Sequence, residues 1–180
     1  MKIETEFSVP FSAAQVWAFF HDTARVVNCL PGAELSEAGE DGALKGRFRV
    51  KLGPIAAAFA GEGKVALDEA ARTGAIEGAG SDRATGTRAR GEARFALAET
   101  GDGTRVTVAL DYTLAGTLAQ FGRGAIVENL AARLAGEFAK NLEKALSSEA
   151  PVTAAPIAVG KLLSAAIRDR LRRKRKEDEC

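Results

Sequence analysis

Only one adjoining pair of side chains has the types needed for acid–base chemistry, namely His21 and Asp22. An imidazole beside a carboxylate can move a proton near neutral pH. No nucleophile or third catalytic group accompanies the pair, and His21 is the only histidine in the chain. We therefore favour a helix-terminal cation that interacts with the helix dipole, and an acid–base pair at a cavity mouth is the alternative.

Apolar side chains offer a second kind of chemistry, the binding of an apolar ligand. The candidate ligand-binding residues are Trp17, Phe20, Leu30, Phe48, Phe59, Phe95, Tyr112, Phe121, Gly122, Ile126 and Leu130. Aromatic residues make up only 6% of the chain, so ordinary core packing is the competing interpretation for each. A buried Tyr112 hydroxyl needs a partner, which is either a ligand carbonyl or the backbone.

The basic residues are unevenly distributed. Residues 161–180 hold eight bases and four acids, whereas the rest of the chain has 17 bases and 20 acids. The apolar residues between 159 and 171 recur at helical spacing, which predicts a short basic amphipathic helix. The candidate membrane-binding residues are Lys161, Leu162, Leu163, Ile167, Arg168, Arg170, Leu171, Arg172, Arg173 and Lys174. Docking to an acidic partner and a disordered end are the alternatives.

A second basic set alternates with apolar residues on predicted strands. Its members are Arg47, Arg49, Lys51, Arg88, Arg90 and Arg94. We favour the interpretation that these residues form an ordinary solvated outer face, and the alternative is a docking surface for an acidic partner protein.

The elements that position these residues follow from the hydrophobic periodicity. Residues 3–9 alternate as a strand, and Ser12 with Gln15 predicts a capping box at the start of a helix. A second short helix is expected between 22 and 29, followed by about six antiparallel strands between 33 and 114. Thr117, with Gln120 three residues later, predicts the start of one long helix that ends near 147 and has Gly122 in its first turns. At this position, the lack of a side chain would either admit the bulky head of a ligand or let the start of the helix move as a gate. The alternative is that glycine allows the helix to pack closely against the sheet.

The order of these elements predicts an α+β fold, in which a curved antiparallel sheet of about seven strands wraps around a long C-terminal helix. Such a grip leaves an apolar cavity at its open end. We expect a ligand-binding domain over 1–147, a Pro/Ala linker over 148–157 and a basic tail over 158–180.

Composition excludes several classes of function. The net charge of +1 gives no general case for binding nucleic acid. One histidine and two cysteines, Cys29 and Cys180, leave no set of ligands for zinc or iron–sulfur, and they fit a reducing compartment. The sequence has neither a signal peptide pattern nor a run of apolar residues long enough to span a bilayer. Catalytic and metal sites are therefore not expected.

Four motifs carry a resemblance to a known family. They are Cys-Leu-Pro-Gly-Ala at 29–33, Val-Lys-Leu-Gly-Pro-Ile at 50–55, Phe-Ala-Gly at 59–61 and Gly-Thr-Leu-Ala-Gln-Phe-Gly at 116–122. With them, residues 1–147 resemble the SRPBCC superfamily, which shares the helix-grip fold of Bet v 1-type allergens, START domains and polyketide cyclases. Within it, the sequence is similar to the CoxG family of carbon monoxide dehydrogenase components.

The resemblance implies an accessory binding protein of a molybdenum hydroxylase. It implies no covalent cofactor, a bound quinone or other lipid, and a location on the cytoplasmic face of the cell membrane, where electrons pass to the quinone pool. A ligand-free adaptor or assembly factor is the alternative, and a cyclase or hydratase is a third. The apolar stripes contain few histidines, cysteines or paired acids, which argues against a cyclase or hydratase.

Overall fold

A computed structural model describes residues 1–52, 55–122 and 125–148. The predicted linker and basic tail lie almost wholly outside these residues. The described elements are, in chain order, β1 (Lys2–Val9), α1 (Ala13–Phe20), α2 (Thr23–Cys29), β2 (Ala33–Ala38), β3 (Ala43–Leu52), β4 (Ile55–Asp68), β5 (Thr73–Asp82), β6 (Thr87–Thr100), β7 (Gly103–Ala115), a 3-10 helix (Thr117–Phe121) and α3 (Ala125–Ser148).

The seven strands form one curved antiparallel sheet in the order β1-β7-β6-β5-β4-β3-β2. Every sequential pair from β2 to β7 is a hairpin, and β1 closes the far edge by pairing with β7. The strict alternation of apolar and polar residues gives the sheet an inner face toward α3 and an outer face toward solvent. The predicted α+β helix-grip fold is confirmed.

The two short helices begin where the sequence predicts. The Ser12 hydroxyl accepts a hydrogen bond from the Gln15 N–H at 3.3 Å, and the Gln15 side chain accepts one from the Ser12 N–H at 3.1 Å. Asp22 caps α2 by accepting from the Arg25 N–H at 3.1 Å. These contacts satisfy N–H groups that the first helical turn leaves free.

The prediction of one long helix from Thr117 is wrong. The chain forms a separate 3-10 helix over Thr117–Phe121, whose N-cap is Gly116, with no side-chain cap, and whose C-cap is Gly122. A contact with a distant strand holds the 3-10 helix in place, because the Thr87 hydroxyl accepts a hydrogen bond from the buried Leu118 N–H at 3.2 Å. Gly116 has a φ of 97°, a backbone conformation that glycine adopts at little cost.

Two groups of buried side chains hold the sheet to the helices. The first core cluster joins α1, the C-terminal half of α3 and the adjoining ends of β1, β6 and β7. Val16 and Leu142 are fully buried in it. The second core cluster joins the 3-10 helix and the N-terminal half of α3 to β1 and β4, around the fully buried Leu118.

Candidate functional site

Between the two core clusters, the inner face of the sheet carries a group of glycines. Cross-strand pairs place Gly61 opposite Gly80 and Gly63 opposite Gly78, and Gly78 in turn lies opposite Gly91 on β6. We call these five glycines the glycine floor. Their peptide groups are engaged in the strand ladders, so the floor presents a flat surface whose polar groups already have partners.

The close approach of neighbouring strands explains the choice of glycine at some of these positions. A Cβ built on Gly63 would lie 2.6 Å from the Glu77 carbonyl oxygen on the neighbouring strand, which is closer than real Cβ atoms come. At Gly78 the nearest atom to such a Cβ, the Glu62 carbonyl oxygen, is 3.2 Å away, so a side chain there is tight but not excluded. Gly63 is therefore required by its neighbour's backbone, whereas Gly78 can accept a substitution that tests the surface.

Helix α3 approaches the sheet mainly at β1, and its backbone also comes close to α2, α1 and β3. Its side chains meet β4 and β6 within the two core clusters, whereas the glycine floor belongs to neither cluster. The inward-facing Val65, Ile76 and Leu110 are only half-buried. We take the glycine floor and these half-buried apolar side chains beside it as the candidate ligand site.

The predicted ligand-binding residues divide between three environments. Trp17, Phe20 and Phe95 belong to the first core cluster or pack against it, and the Phe20 and Phe95 rings meet edge to face at 5.3 Å. The second core cluster or the residues packed on it include Phe59, Tyr112, Phe121 and Leu130. Leu30, Phe48, Gly122 and Ile126 belong to neither cluster. Their roles in ligand binding stay predictions.

At the start of α3, the candidate ligand-binding residue Ile126 is not on the buried face of the helix. Ile126 is 43% exposed, whereas its neighbour Val127 is buried. The helix begins at Ala125, and Val127 packs toward the second core cluster. Gly122 is buried beneath the Leu114 side chain, where a Cβ would lie only 2.9 Å from the Leu114 Cδ1 atom. This contact fits the close-packing interpretation of Gly122.

The Tyr112 hydroxyl has a backbone partner. It donates a hydrogen bond to the Gly122 carbonyl oxygen at 2.7 Å, and burial, aided by the Glu128 carboxylate, raises the pKa of the phenol. The hydroxyl proton therefore bonds the backbone instead of a ligand carbonyl, and this bond links β7 to the end of the 3-10 helix. Of the two partners expected for this hydroxyl, the structure shows the backbone.

A polar network that the sequence does not predict surrounds His21. The Glu69 carboxylate accepts a hydrogen bond from the Trp17 indole N–H at 2.7 Å and contacts His21 Nε2, while His21 Nδ1 lies 2.9 Å from the Trp17 carbonyl oxygen. Because both ring nitrogens face acceptors, this arrangement favours the protonated form of the imidazole. These contacts raise the pKa of His21 and lower that of Glu69.

This network settles how His21 is used. Its partner is Glu69, in the turn between β4 and β5, and not the adjacent Asp22, which caps α2. The ring sits on the last turn of α1, as expected for a helix-terminal cation. Glu69 lies 48 residues away, and no local sequence signal points to it.

Among the cysteines, only Cys29 lies within the described residues. Its thiol is free and buried, and burial raises its pKa. It behaves as a small apolar core residue.

Comparison with known proteins identifies the family. A family model described as CoxG, a component of carbon monoxide dehydrogenase, matches residues 5–147. The chain belongs to the CoxG family. A comparison with curated proteins finds no match.

Solved structures share the fold of this CoxG-family chain at low sequence identity. A conserved protein from Geobacillus kaustophilus is 15% identical with a TM-score of 0.68, covering 82% of this chain and 96% of that one. An aromatase/cyclase from Streptomyces sp. is 14% identical with a TM-score of 0.56, covering 86% and 98%. Norcoclaurine synthase from Thalictrum flavum is 20% identical with a TM-score of 0.55, covering 81% and 92%. These neighbours show the Bet v 1-like fold and no more.

Among the helices within residues 1–52, 55–122 and 125–148, none combines the length and the hydropathy that a bilayer-spanning segment requires.

Proposed function

We propose that this CoxG-family protein binds a lipophilic small molecule of the quinone class between the glycine floor and α3. The observation that carries the proposal is the group of inward-facing glycines between the two core clusters. A planar ring can lie against flat peptide surfaces whose hydrogen bonds are already made in the sheet. Half-buried aliphatic side chains beside the floor, such as Ile76 and Leu110, supply apolar contact for the rest of the molecule.

The proposed role is binding and not catalysis. His21 and Glu69 are committed to each other and to Trp17. Asp82 accepts hydrogen bonds from the Thr85 hydroxyl and the Ala84 N–H, which together lower its pKa. The inner surface itself presents apolar groups and peptide backbone. The synthase and cyclase neighbours make an enzyme the competing function, which would need an acid or base that this surface does not offer.

The family name supports the choice of partner, an enzyme of the carbon monoxide dehydrogenase type. In this proposal the enzyme passes the electrons that it takes from its substrate to the bound quinone, which also takes up protons and leaves as quinol. The protein supplies a dry, oriented binding site. The basic tail over 158–180 holds the assembly at the anionic cytoplasmic face of the membrane, where each base adds about 1 kcal/mol of attraction.

A ligand-free adaptor is the second candidate function. It is favoured by the way Trp17, Phe20 and Phe95 fill the first core cluster, because these predicted lining residues already have protein partners. Under this alternative the protein recruits the enzyme, and the inner surface holds no specific ligand.

The test places a side chain on the glycine floor. Gly78→Leu projects into the proposed ligand space, and Glu77→Leu, one residue earlier on the same strand, projects an identical side chain from the exposed outer face. We expect a short-chain ubiquinone to quench the fluorescence of Trp17, the only tryptophan, saturably in wild type and in Glu77→Leu. In Gly78→Leu the affinity should fall by roughly tenfold or more, the cost of overfilling a packed site.

Two results would reject the ligand site. One is equal quinone affinity in both variants, provided that Gly78→Leu retains the far-UV spectrum and a cooperative unfolding transition. The other is a wild type that shows no saturable quenching, which would favour the adaptor.

A further inference from the structure

A groove crosses the outer face of the sheet directly behind the glycine floor. Its volume is about 490 Å³. The residues that line it come from β3 to β7 and are Lys45, Ala60, Gly61, Glu62, Ala79, Gly80, Ser81, Arg88, Ala89, Arg90, Thr113 and Ala115. Gly61 and Gly80 belong to both the groove and the floor, so only one layer of backbone separates the two surfaces.

The groove has a small-residue bottom between two basic walls. On the outer face, the strand register aligns Arg47 with Ala60, then Ser81, then Arg88. The two arginines are therefore three strand spacings apart, or about 14 Å, and only short side chains lie between them. In the next row, Lys45 and Arg90 repeat the arrangement across Glu62 and Ala79. An α-helix with its side chains is about 10–12 Å wide, so a protein segment fits between these walls.

The walls carry positive charge that the described part of the chain does not neutralise. Lys45 pairs with Glu37 at 2.8 Å, but Arg47, Arg88 and Arg90 are in no ion pair among the described residues. Only Glu62 contributes a carboxylate to the lining. The basic surface is short, because the following row on the same face mixes both signs of charge and aligns Lys64, Glu77, Glu92, Asp111 and Lys2.

We propose that this outer groove is a docking site for an acidic segment of a partner protein. The charge of the walls selects carboxylates, and the neutral bottom of Ala60, Ala79 and Ser81 accepts the backbone or short side chains of the segment. The large apolar side chains exposed in the described part of the chain are Met1 and Ile126, and neither lines the groove for insertion into a bilayer. The proposal stands independently of the ligand site on the inner face.

Charge reversal on the walls tests the groove. The probe is a fluorescein-labelled synthetic helical peptide of alternating Glu and Ala blocks, titrated with the full chain and followed by anisotropy. The test variant is Arg47→Glu/Arg88→Glu. The matched control is Lys2→Glu/Arg105→Glu, which makes the same change in net charge at exposed outer-face positions outside the groove. Both variants retain the basic tail.

We expect the wall variant to bind the acidic peptide about tenfold more weakly than wild type, and the control to stay within about twofold. Ala79→Leu, which fills the bottom without altering charge, should also weaken binding. Equal losses in the two charge variants would overturn the proposal, because they would show attraction to the net charge or to the tail. The proposal would also be overturned if the wall variant lost binding to phosphatidylglycerol vesicles or duplex DNA while it still bound the peptide.

Discussion

Replacing Thr87 by valine removes one hydroxyl from a fully buried side chain at the start of β6. That hydroxyl oxygen accepts the hydrogen bond from the Leu118 N–H at 3.2 Å, and it lies 3.0 Å from the Thr85 hydroxyl, which donates to the Asp82 carboxylate. Valine has nearly the same shape, so the substitution leaves no cavity. It leaves the N–H of Leu118, also fully buried, without an acceptor.

The cost of that substitution follows from the burial of the orphaned donor. A buried donor left without its partner costs about 1–3 kcal/mol. With a urea m-value of about 2 kcal/mol/M for a domain of this size, the unfolding midpoint of Thr87→Val should fall by about 0.5–1.5 M. The assay is equilibrium urea unfolding followed by far-UV circular dichroism.

Thr107→Val is the matched control, because Thr107 is exposed and its hydroxyl makes only a 3.5 Å contact with the Ala96 carbonyl oxygen. Its midpoint should stay close to that of wild type, since surface substitutions usually change stability by less than about 0.5 kcal/mol. If Thr87→Val were as stable as Thr107→Val, the claim that Thr87 anchors the 3-10 helix would be refuted.

Three further predictions test the core and the polar network. Leu142→Ala, at a fully buried position of α3, should destabilise the protein by about 2–5 kcal/mol in the same assay, whereas Ile126→Ala, at a 43% exposed position, should change it little. The single histidine makes an NMR titration unambiguous: the pKa of His21 should lie above its ordinary value of about 6.5 and fall in Glu69→Gln, and an unchanged pKa would contradict the contact with Glu69. Because the pKa of His21 is raised on folding, its stabilisation is complete below about pH 6.5 and is lost as the pH rises through the folded pKa. The stability difference between wild type and His21→Gln should therefore be larger near pH 6 than near pH 9, and a constant difference would contradict this linkage.

The sequence predicts those parts of the fold that depend on neighbours in the chain. Ser12 and Gln15 cap α1 through contacts only three residues apart. The alternation along β6 and β7 likewise needs no knowledge of the rest of the molecule. Local chemistry alone therefore identifies these elements and their inner faces.

The features that the sequence did not predict depend on contacts between residues far apart in the chain. Thr117 and Gln120 match the capping-box pattern, but the 3-10 helix has Gly116 as its N-cap, and its Leu118 N–H donates to the Thr87 hydroxyl, 31 residues away. The contact of Glu69 with His21 is equally non-local.

The division of the aromatic residues between the two core clusters also requires the tertiary structure. Trp17 and Phe59 have the same apolar character in the sequence, yet they lie in different clusters. The glycine floor is visible in the sequence only as scattered glycines, and it becomes one surface when the strand register brings them side by side.

The measurement that tests the central claim most directly is organic extraction and mass spectrometry of the protein purified from its native host without detergent. The account predicts a quinone-class molecule at about one per chain in wild type and in Glu77→Leu, and its loss from folded Gly78→Leu. A wild-type protein that yields no lipophilic molecule and fails to take up added quinone would contradict the account. The same extract from all three proteins would show that the molecule binds elsewhere.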